Sequence, residues 1–177
     1  MVAHESSPSL AEIERRMRPG VFTRAGYLGA DESLQDVLRE DAETLMRLHV
    51  RATEIAQSLS ELVSLAAEST SKRARIDDYM VILVKFKGFP ICPFAPRPHE
   101  AQCDTGTGVR FGSFDWRIRD RRSARELHGP GLLIHLIGDH AFFEGHASPH
   151  RIEPQDLATF LGLGKPEPGW KRRSKIP

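Results

Sequence analysis

The chain lacks the features that mark membrane-spanning and secreted proteins. No apolar run approaches the roughly 18–20 residues that a membrane-spanning helix requires, so we expect no membrane association. The N-terminal stretch MVAHESSPSLAEIERR has no apolar core of the kind found in secretory signals, so we expect a cytoplasmic protein. Only two cysteines, Cys92 and Cys103, occur among the 177 residues. In a reducing compartment such cysteines are more often unmodified or metal-bound than joined in a disulfide.

Strong net charge and the short motifs of common enzyme classes are also missing. The formal net charge is +1, which provides no overall basic field that would attract nucleic acid. The HExxH signature of zinc proteases, a Gly-rich phosphate loop, a dinucleotide-binding fingerprint and a nucleophile elbow are all absent. The sequence therefore contains no motif for an enzyme and favours a protein without catalytic activity.

Composition and length fit one folded domain. The hydrophobic fraction is 40% and the charged fraction 28%, both ordinary for a globular protein. We predict a single α+β domain over 1–177, with a helical part at 8–70 and a β-rich part at 79–163. The Pro-rich and basic tail at 164–177 is predicted to be mobile. No pattern in the sequence predicts the oligomeric state.

The N-terminal half carries a helical pattern. Apolar residues recur at three- and four-residue spacing in two stretches, which predicts helices at about 32–48 and 53–69 joined by a tight turn. Thr53 is a suitable N-cap for the second of these helices. The polar and charged run at 69–78 is interpreted as a linker to the β-rich part.

The C-terminal half carries a strand pattern. Residues 79–89 form the best strand in the chain, and the alternation of apolar and charged residues in 109–120 predicts a half-exposed strand. A short strand is predicted at 125–128 and a last helix at 154–163. We expect the N-terminal helices to form a layer that packs on the small antiparallel sheet.

A buried helix is predicted in the segment PGLLIHLIGDHAFFE at 130–144. Gly145 is expected to cap its end, and the helix contains His135 and His140. Its apolar residues cover so much of the circumference that the helix must be largely buried; these residues are Leu132, Leu133, Leu136, Ile137, Phe142 and Phe143.

The two cysteines and the two helical histidines are the ligand types of a structural zinc site. Prolines and glycines make 90–108 a long loop, and a bound metal would hold such a loop in place. We therefore predict a zinc-ribbon-like or zinc-finger-like site with Cys92, Cys103, His135 and His140 as ligands. His99, which lies between the cysteines, is an alternative ligand.

The spacing of these residues departs from common zinc motifs. Ten residues separate the cysteines, where two to four are usual. The second histidine lies five positions after the first, which rotates it by roughly 140° on a regular helix. We therefore expect a distorted turn near Gly138. In the competing interpretation, both cysteines are small buried hydrophobic residues and His135 is a hydrogen-bonded core histidine.

Three functions remain open from the sequence. The first is a zinc-stabilised accessory or protein-interaction protein. The second is a metal-dependent hydrolase that uses the same ligands with Asp139 or Glu144 as a nearby carboxylate. In this setting Asp139 could instead orient a histidine ligand. The third is a nucleic-acid-associated regulator whose phosphate contacts come from a basic patch formed by Arg117, Arg119, Arg121, Arg122 and Arg125.

Several segments resemble a family of uncharacterised small bacterial proteins. They are RRMRPG, AGYLG and SLQDVLREDAETL in the first third of the chain, and PGLLIHLIGDHAFFEG and SPHRIEP near its end. The resemblance covers most of the chain and implies a single unit in place of two loosely joined domains. The family has no established activity, so the resemblance implies no function.

Overall fold

The computed structural model describes residues 8–88, 91–96, 103 and 113–164. Within these residues the chain forms an α+β fold. In chain order its elements are α1 (Leu10–Met17), α2 (Leu34–Leu48), α3 (Ala52–Glu68), β1 (Arg73–Ile76), β2 (Tyr79–Lys85), β3 (Phe114–Asp120), β4 (Glu126–Pro130), α4 (Gly131–His140) and α5 (Pro154–Phe160). None of the described helices is long and apolar enough to cross a membrane. The predicted tail falls outside the described residues except for Gly164.

The four strands form an antiparallel sheet in the order β1-β2-β3-β4. Val81 of β2 pairs with Ile118 of β3, and Leu83 pairs with Trp116, and all four side chains are buried. Side chains alternate between the two faces of a strand, so the residues between these four lie on the opposite, solvent-facing side. The inner face thus packs against the helices.

Helices α2 and α3 confirm the predicted pair, although Thr53 does not cap α3. The N-cap is Arg51, whose backbone N–H donates to Glu54 Oε2 at 2.8 Å. Thr53 lies inside the first turn. The turn between the helices is tight because His49 adopts a left-handed conformation with φ 54° that ends α2.

The interpretation of 69–78 as a linker is wrong for β1, which occupies Arg73–Ile76. This strand returns into β2 through a two-residue turn, in which Asp77 has a φ of 50°. Only Ala74 and Ile76 face inward, and both are partly buried against the core. Two modest apolar residues among charged ones give too weak an alternation for a strand to be recognised from sequence.

The buried helix is shorter than predicted. It ends at His140, because Ala141 takes a left-handed conformation with φ 51° and its backbone N–H donates to the carbonyls of Ile137 and Leu136. The residues from Phe142 to Gly145 are therefore not helical, and Gly145 is not the cap. The prediction failed here because alanine is a strong helix former and rarely adopts this conformation.

Helix α4 lies between two hydrophobic cores, which explains its apolar circumference. Leu133, Ile134 and Ile137 pack into the sheet-side core, which contains buried residues of α3, β2, β3 and α5. Leu132 and Leu136 pack into the loop-side core, which contains Met17, Tyr27, Leu28, Leu34, Val37, Cys92 and Ala95. After the helix, Phe142 enters the loop-side core and Phe143 the sheet-side core. The prediction of a largely buried segment is confirmed.

Close contact between α3 and α4 depends on Gly138. A Cβ at this position would lie 2.9 Å from Cβ of Ala56. Since neither atom belongs to a flexible side chain, Gly138→Ala must push the helices apart, at a cost of about 1–3 kcal/mol. This outweighs the gain of about 0.8–1 kcal/mol from alanine's helix propensity. We expect the melting temperature, followed by circular dichroism, to fall by about 2–4 °C per kcal/mol.

Two controls separate contact from propensity. Ala56→Gly in the Gly138→Ala background removes the opposing methyl group and should restore part of the lost stability. Ser64→Ala, at an exposed position of α3, should leave the melting temperature nearly unchanged. A melting temperature that rises in Gly138→Ala would show that the two helices do not meet at this point.

Candidate metal centre

Four side chains from two parts of the chain converge beside α4. Cys92 and Cys103 come from the segment after β2, and His135 and His140 come from α4. Their ligand atoms all lie within 4.8 Å of one another. The group could hold a metal ion.

Four of the six distances between these atoms lie within a few tenths of an ångström of the edges of a zinc-centred tetrahedron. The two Nε2 atoms of His135 and His140 are 3.2 Å apart. Cys92 Sγ lies 3.3 Å from His135 Nε2 and 3.4 Å from His140 Nε2, and Cys103 Sγ lies 3.4 Å from His140 Nε2. For zinc, bond lengths of about 2.05 Å to nitrogen and 2.3 Å to sulfur give edges of about 3.4 Å for N···N and about 3.6 Å for S···N. The four side chains are thus close enough together to hold one metal ion.

The end of α4 allows both histidines to reach this point. His135 lies in the middle of the helix and is 4% exposed, whereas His140 is its last residue. The two rings are nearly perpendicular, with centroids 5.0 Å apart. The distorted turn that we expected near Gly138 is not present, since α4 remains helical through that residue. His135 and His140 lie five positions apart on the helix, but their side chains extend toward each other, so that the two Nε2 atoms are 3.2 Å apart.

Asp139 fixes the orientation of His135. Its Oδ2 lies 2.5 Å from His135 Nδ1, and both side chains are buried. A carboxylate at this distance favours the tautomer in which Nδ1–H donates to the oxygen. Nε2 then presents its lone pair toward the cysteines, as in the carboxylate–histidine pairs of zinc proteins. The suggestion that Asp139 orients a histidine agrees with this geometry.

Burial sets the protonation states of the cluster. It lowers the pKa of His140 to about 4 and also lowers the pKa of His135, so both rings are neutral near pH 7 and able to bind a metal. Burial, together with the nearby Cys103, raises the pKa of the Cys92 thiol. A bound cation reverses the effect on the thiols, because thiolates are the ligand form, and it therefore releases protons.

The segment around Cys92 is held by residues that sequence analysis did not identify. Arg16 of α1 is 4% exposed, and its guanidinium donates to the carbonyl oxygens of Pro93 at 3.3 Å and Ala95 at 2.7 Å. The hydroxyl of Tyr27 donates to the carbonyl of Ile91 at 3.1 Å. Phe94 stacks on the imidazole of His140 with ring centroids 4.0 Å apart. A buried arginine inside a helical charge pattern gives no signal in sequence, since it resembles the exposed arginines beside it.

The remaining predicted residues lie elsewhere. His99, the alternative ligand, falls outside the described residues. The predicted basic patch divides, because Arg117 and Arg119 lie on the exposed face of β3 whereas Arg121, Arg122 and Arg125 lie in and after the following turn. Arg122 pairs with Asp78 at 3.7 Å and Arg125 with Asp156 at 3.5 Å.

Glu144 does not contact the centre in the described structure. It is 1% exposed, its backbone is left-handed with φ 66°, and the hydroxyl of Ser148 donates to its Oε2. Burial raises the pKa of Glu144 to about 7, and the hydrogen bond from Ser148 opposes this shift. The carboxyl group is therefore about half protonated near neutral pH.

Comparison with known proteins identifies no relative: no family model, curated protein or solved structure matches the chain. The resemblance to a bacterial family stays a prediction. What characterises the centre is its donor set of two thiols and two imidazoles, together with the carboxylate behind His135.

The raised pKa of Glu144 predicts a specific pH dependence of stability. The unfolded carboxyl titrates near 4.5 and the folded one at about 7, so the folded state binds this proton more tightly. This tighter proton binding adds about 3 kcal/mol to the free energy of unfolding. The added stability is fully present below pH 4.5 and is lost as the pH rises through 7. In Glu144→Gln this loss is absent. Urea unfolding at several pH values should show the variant gaining about 3 kcal/mol on the wild type between pH 4.5 and pH 8.

Every other titrating group is present in both proteins and cancels in their difference. Glu43→Gln, at an exposed position of α2, provides the matched control and should follow the wild type at every pH. If the curves of Glu144→Gln and wild type run parallel, the carboxyl is ionised in the folded protein at all these pH values.

Proposed function

We propose that Cys92, Cys103, His135 and His140 bind one zinc ion, and that the protein is a zinc-stabilised accessory or interaction protein. The observation that carries the proposal is the convergence of the four ligand atoms within 4.8 Å of one another, with four of the six distances between them at 3.2–3.4 Å. Zinc would connect the segment around Cys92 to α4, whose two histidines lie 43 and 48 positions later in the sequence.

The donor set favours zinc over other metals. Thiolates and neutral imidazoles in a four-coordinate arrangement suit a borderline-soft ion without a geometric preference of its own. Calcium and magnesium prefer six or more oxygen ligands, whereas this group offers two sulfur and two nitrogen atoms, and the neighbouring carboxylate of Asp139 lies against His135 Nδ1.

A structural role is better supported than hydrolysis. Four protein ligands complete the coordination of zinc, whereas a catalytic zinc keeps one position for water. The two carboxylates considered for catalysis have other partners: Asp139 bonds to His135, and Glu144 accepts a hydrogen bond from Ser148. The proposed zinc therefore stabilises the fold.

Metal analysis tests the zinc proposal directly. Protein purified without an affinity tag should contain close to one zinc per chain by elemental analysis. His135→Asn and Cys92→Ser should reduce this content and lower the melting temperature, because each removes one ligand of the ion. Asp139→Asn keeps all four ligands but removes the carboxylate behind His135, so it should weaken zinc affinity by about 10–100-fold in a chelator competition.

The matched control is His128→Asn, which replaces an exposed histidine of β4 and should change neither zinc content nor stability. Zinc content near zero, combined with an unchanged melting temperature in Cys92→Ser, would refute the proposal. Zinc bound normally by Asp139→Asn would refute only the orienting role of that carboxylate.

The outer face of the sheet supports an interaction role. Strand pairing aligns Arg73, Ile82 and Arg117 in one row across the sheet, and Arg75, Met80 and Arg119 in the next. The arginines are exposed, and Val84 continues the apolar line of β2 with 58% of its surface exposed. An aliphatic strip on β2 therefore runs between arginines of β1 on one side and arginines of β3 on the other. Arg73 and Arg75 were not included in the predicted basic patch, because their strand was interpreted as a linker.

This surface fits an acidic protein segment better than nucleic acid. Carboxylates on both sides of such a segment could pair with the two arginine lines while its apolar side chains cover β2. Sheets that bind single-stranded nucleic acid present aromatic rings for base stacking on their central strands. Here the central positions are Met80, Ile82 and Val84. We therefore propose an acidic, amphipathic protein segment as the partner.

Binding of two labelled probes, measured by fluorescence anisotropy, discriminates the two partners. A peptide of alternating glutamate and leucine should bind more tightly than an oligothymidylate, and its affinity should fall as salt rises because the arginine contacts are exposed. Arg75→Glu combined with Arg119→Glu should weaken peptide binding by at least about tenfold, since attraction becomes repulsion at two positions.

The control for this pair is Arg39→Glu with Arg47→Glu, on the exposed side of α2, which should leave peptide binding nearly unchanged. Tighter binding of the oligothymidylate, abolished by the same sheet variants, would assign the face to nucleic acid. Equal loss in both double variants would show that the peptide responds to charge in general.

A further inference from the structure

A second candidate site lies apart from the cluster of cysteines and histidines. A cavity of about 440 Å³ opens between the loop at 22–27, the end of β2 and the start of α4. This is within the usual range of small-molecule sites, roughly 300–1,000 Å³. Its apolar wall is formed by Phe22, Tyr27, Phe86, Ile91, Pro130 and Leu132. Phe86 is 41% exposed although it is a large aromatic residue, as expected for a wall that a ligand would cover.

Glu144 supplies the ionisable group of this cavity. Glu144 lines the cavity and is 1% exposed, and among the described residues Ser148 is the one hydrogen-bond donor to its carboxyl group, on Oε2. The backbone holds the side chain in place, because the Arg151 guanidinium donates to the Glu144 carbonyl at 2.5 Å and Gly145 N–H donates to the Tyr27 carbonyl at 2.7 Å. A buried carboxyl with a single donor is costly, and such groups concentrate in ligand sites.

The lining selects the charge of the ligand. An ionised Glu144 attracts a cation and repels an anion, and burial strengthens both effects. His150 also lines the cavity, and an imidazole ring nitrogen offers a further hydrogen-bonding group there. The rings of Phe22, Tyr27 and Phe86 offer apolar surface to a hydrocarbon body and aromatic faces to a cation. No arginine or lysine is among the residues that line the cavity in the described part of the chain.

We propose that this cavity binds a small organic amine, with its ammonium group paired to Glu144 and its apolar body against the aromatic and aliphatic wall. Burial raises the pKa of Glu144 to about 7, and an ammonium group beside the carboxyl would oppose that shift by favouring the ionised form. The proposal does not depend on zinc, because it rests on residues that are not ligands of the metal.

Three probes that share a phenyl group and differ in charge test which charge the cavity prefers. Phenethylamine, 2-phenylethanol and phenylacetate carry a cation, a neutral group and an anion on similar frameworks. Binding is measured by nitrogen–proton NMR titration of the full chain, which also reports where each probe lies. Phenethylamine should bind at least about tenfold more tightly than 2-phenylethanol, with shifts at 22–27 and 144–150, and phenylacetate should not bind.

Two variants connect the binding to named residues. Glu144→Gln should reduce the affinity for phenethylamine by at least about tenfold and leave that for 2-phenylethanol unchanged, whereas Glu43→Gln should change neither. Phe86→Ala, at a partly exposed position where truncation is tolerated, should weaken both the amine and the alcohol because it removes part of the shared wall.

Three outcomes would overturn the proposal. Equal binding of amine and alcohol, insensitive to Glu144→Gln, would show an apolar cavity without charge selection. Tighter binding of phenylacetate would mean that a protonated Glu144 donates to an anion. Absence of binding by phenethylamine, and by hexylamine as an aliphatic amine, would show that the cavity does not accept amines.

Discussion

The burial of α4 on all sides is the constraint on which the rest of the structure depends. Its apolar residues divide between the sheet-side core and the loop-side core, so the helix joins the two cores. Helix α2 also contributes to both, with Leu45 on one side and Leu34 and Val37 on the other. A helix in this position has no solvent-facing side for a polar residue. His135 is consequently placed in the interior, where it needs partners on both ring nitrogens. Asp139 is the partner of Nδ1, and Cys92 Sγ lies 3.3 Å from Nε2.

This constraint connects metal binding to folding. The segment around Cys92 is irregular, and among the described residues it is held by the Arg16 guanidinium, the Tyr27 hydroxyl and the stacking of Phe94 on His140. A zinc ion at the four ligands would add a bond network between this segment and α4. Binding free energy at a site that exists only in the folded chain stabilises the folded state. The proposed zinc thus acts mainly on the loop-side core, where half of the buried residues lie outside helices and strands; these are Tyr27, Leu28, Cys92, Ala95 and Phe142.

The sequence predicts those helices and strands in which apolar residues recur at a regular spacing. The helices α2 and α3 and the strands β2 and β3 were recognised because three or more apolar residues recur at one spacing. The strand β1 was missed because only Ala74 and Ile76 face inward. The end of α4 was misplaced because Ala141, a helix former, takes a left-handed conformation that tertiary packing of Phe142 and Phe143 imposes. The residues of the metal cluster were identified from their chemistry, but the unusual spacing gave no indication that the helix could remain regular. Arg16 and Phe94 could not be found, since their roles depend on contacts across the fold.

The proposed amine cavity and the proposed zinc site share a structural element, and this has a thermodynamic consequence. Ile91 forms part of the cavity wall, and its neighbour Cys92 is a zinc ligand. Tyr27 holds the carbonyl of Ile91 and also lines the cavity beside Glu144. An ion that restricts the motion of Cys92 would therefore restrict Ile91 as well. A ligand that then enters the cavity would lose less conformational entropy by ordering this segment. By reciprocity, an amine in the cavity would raise zinc affinity by the same factor. The two sites differ in chemistry, but a single short segment, at 91–96, would couple their occupancies if both are filled, although neither site requires the other.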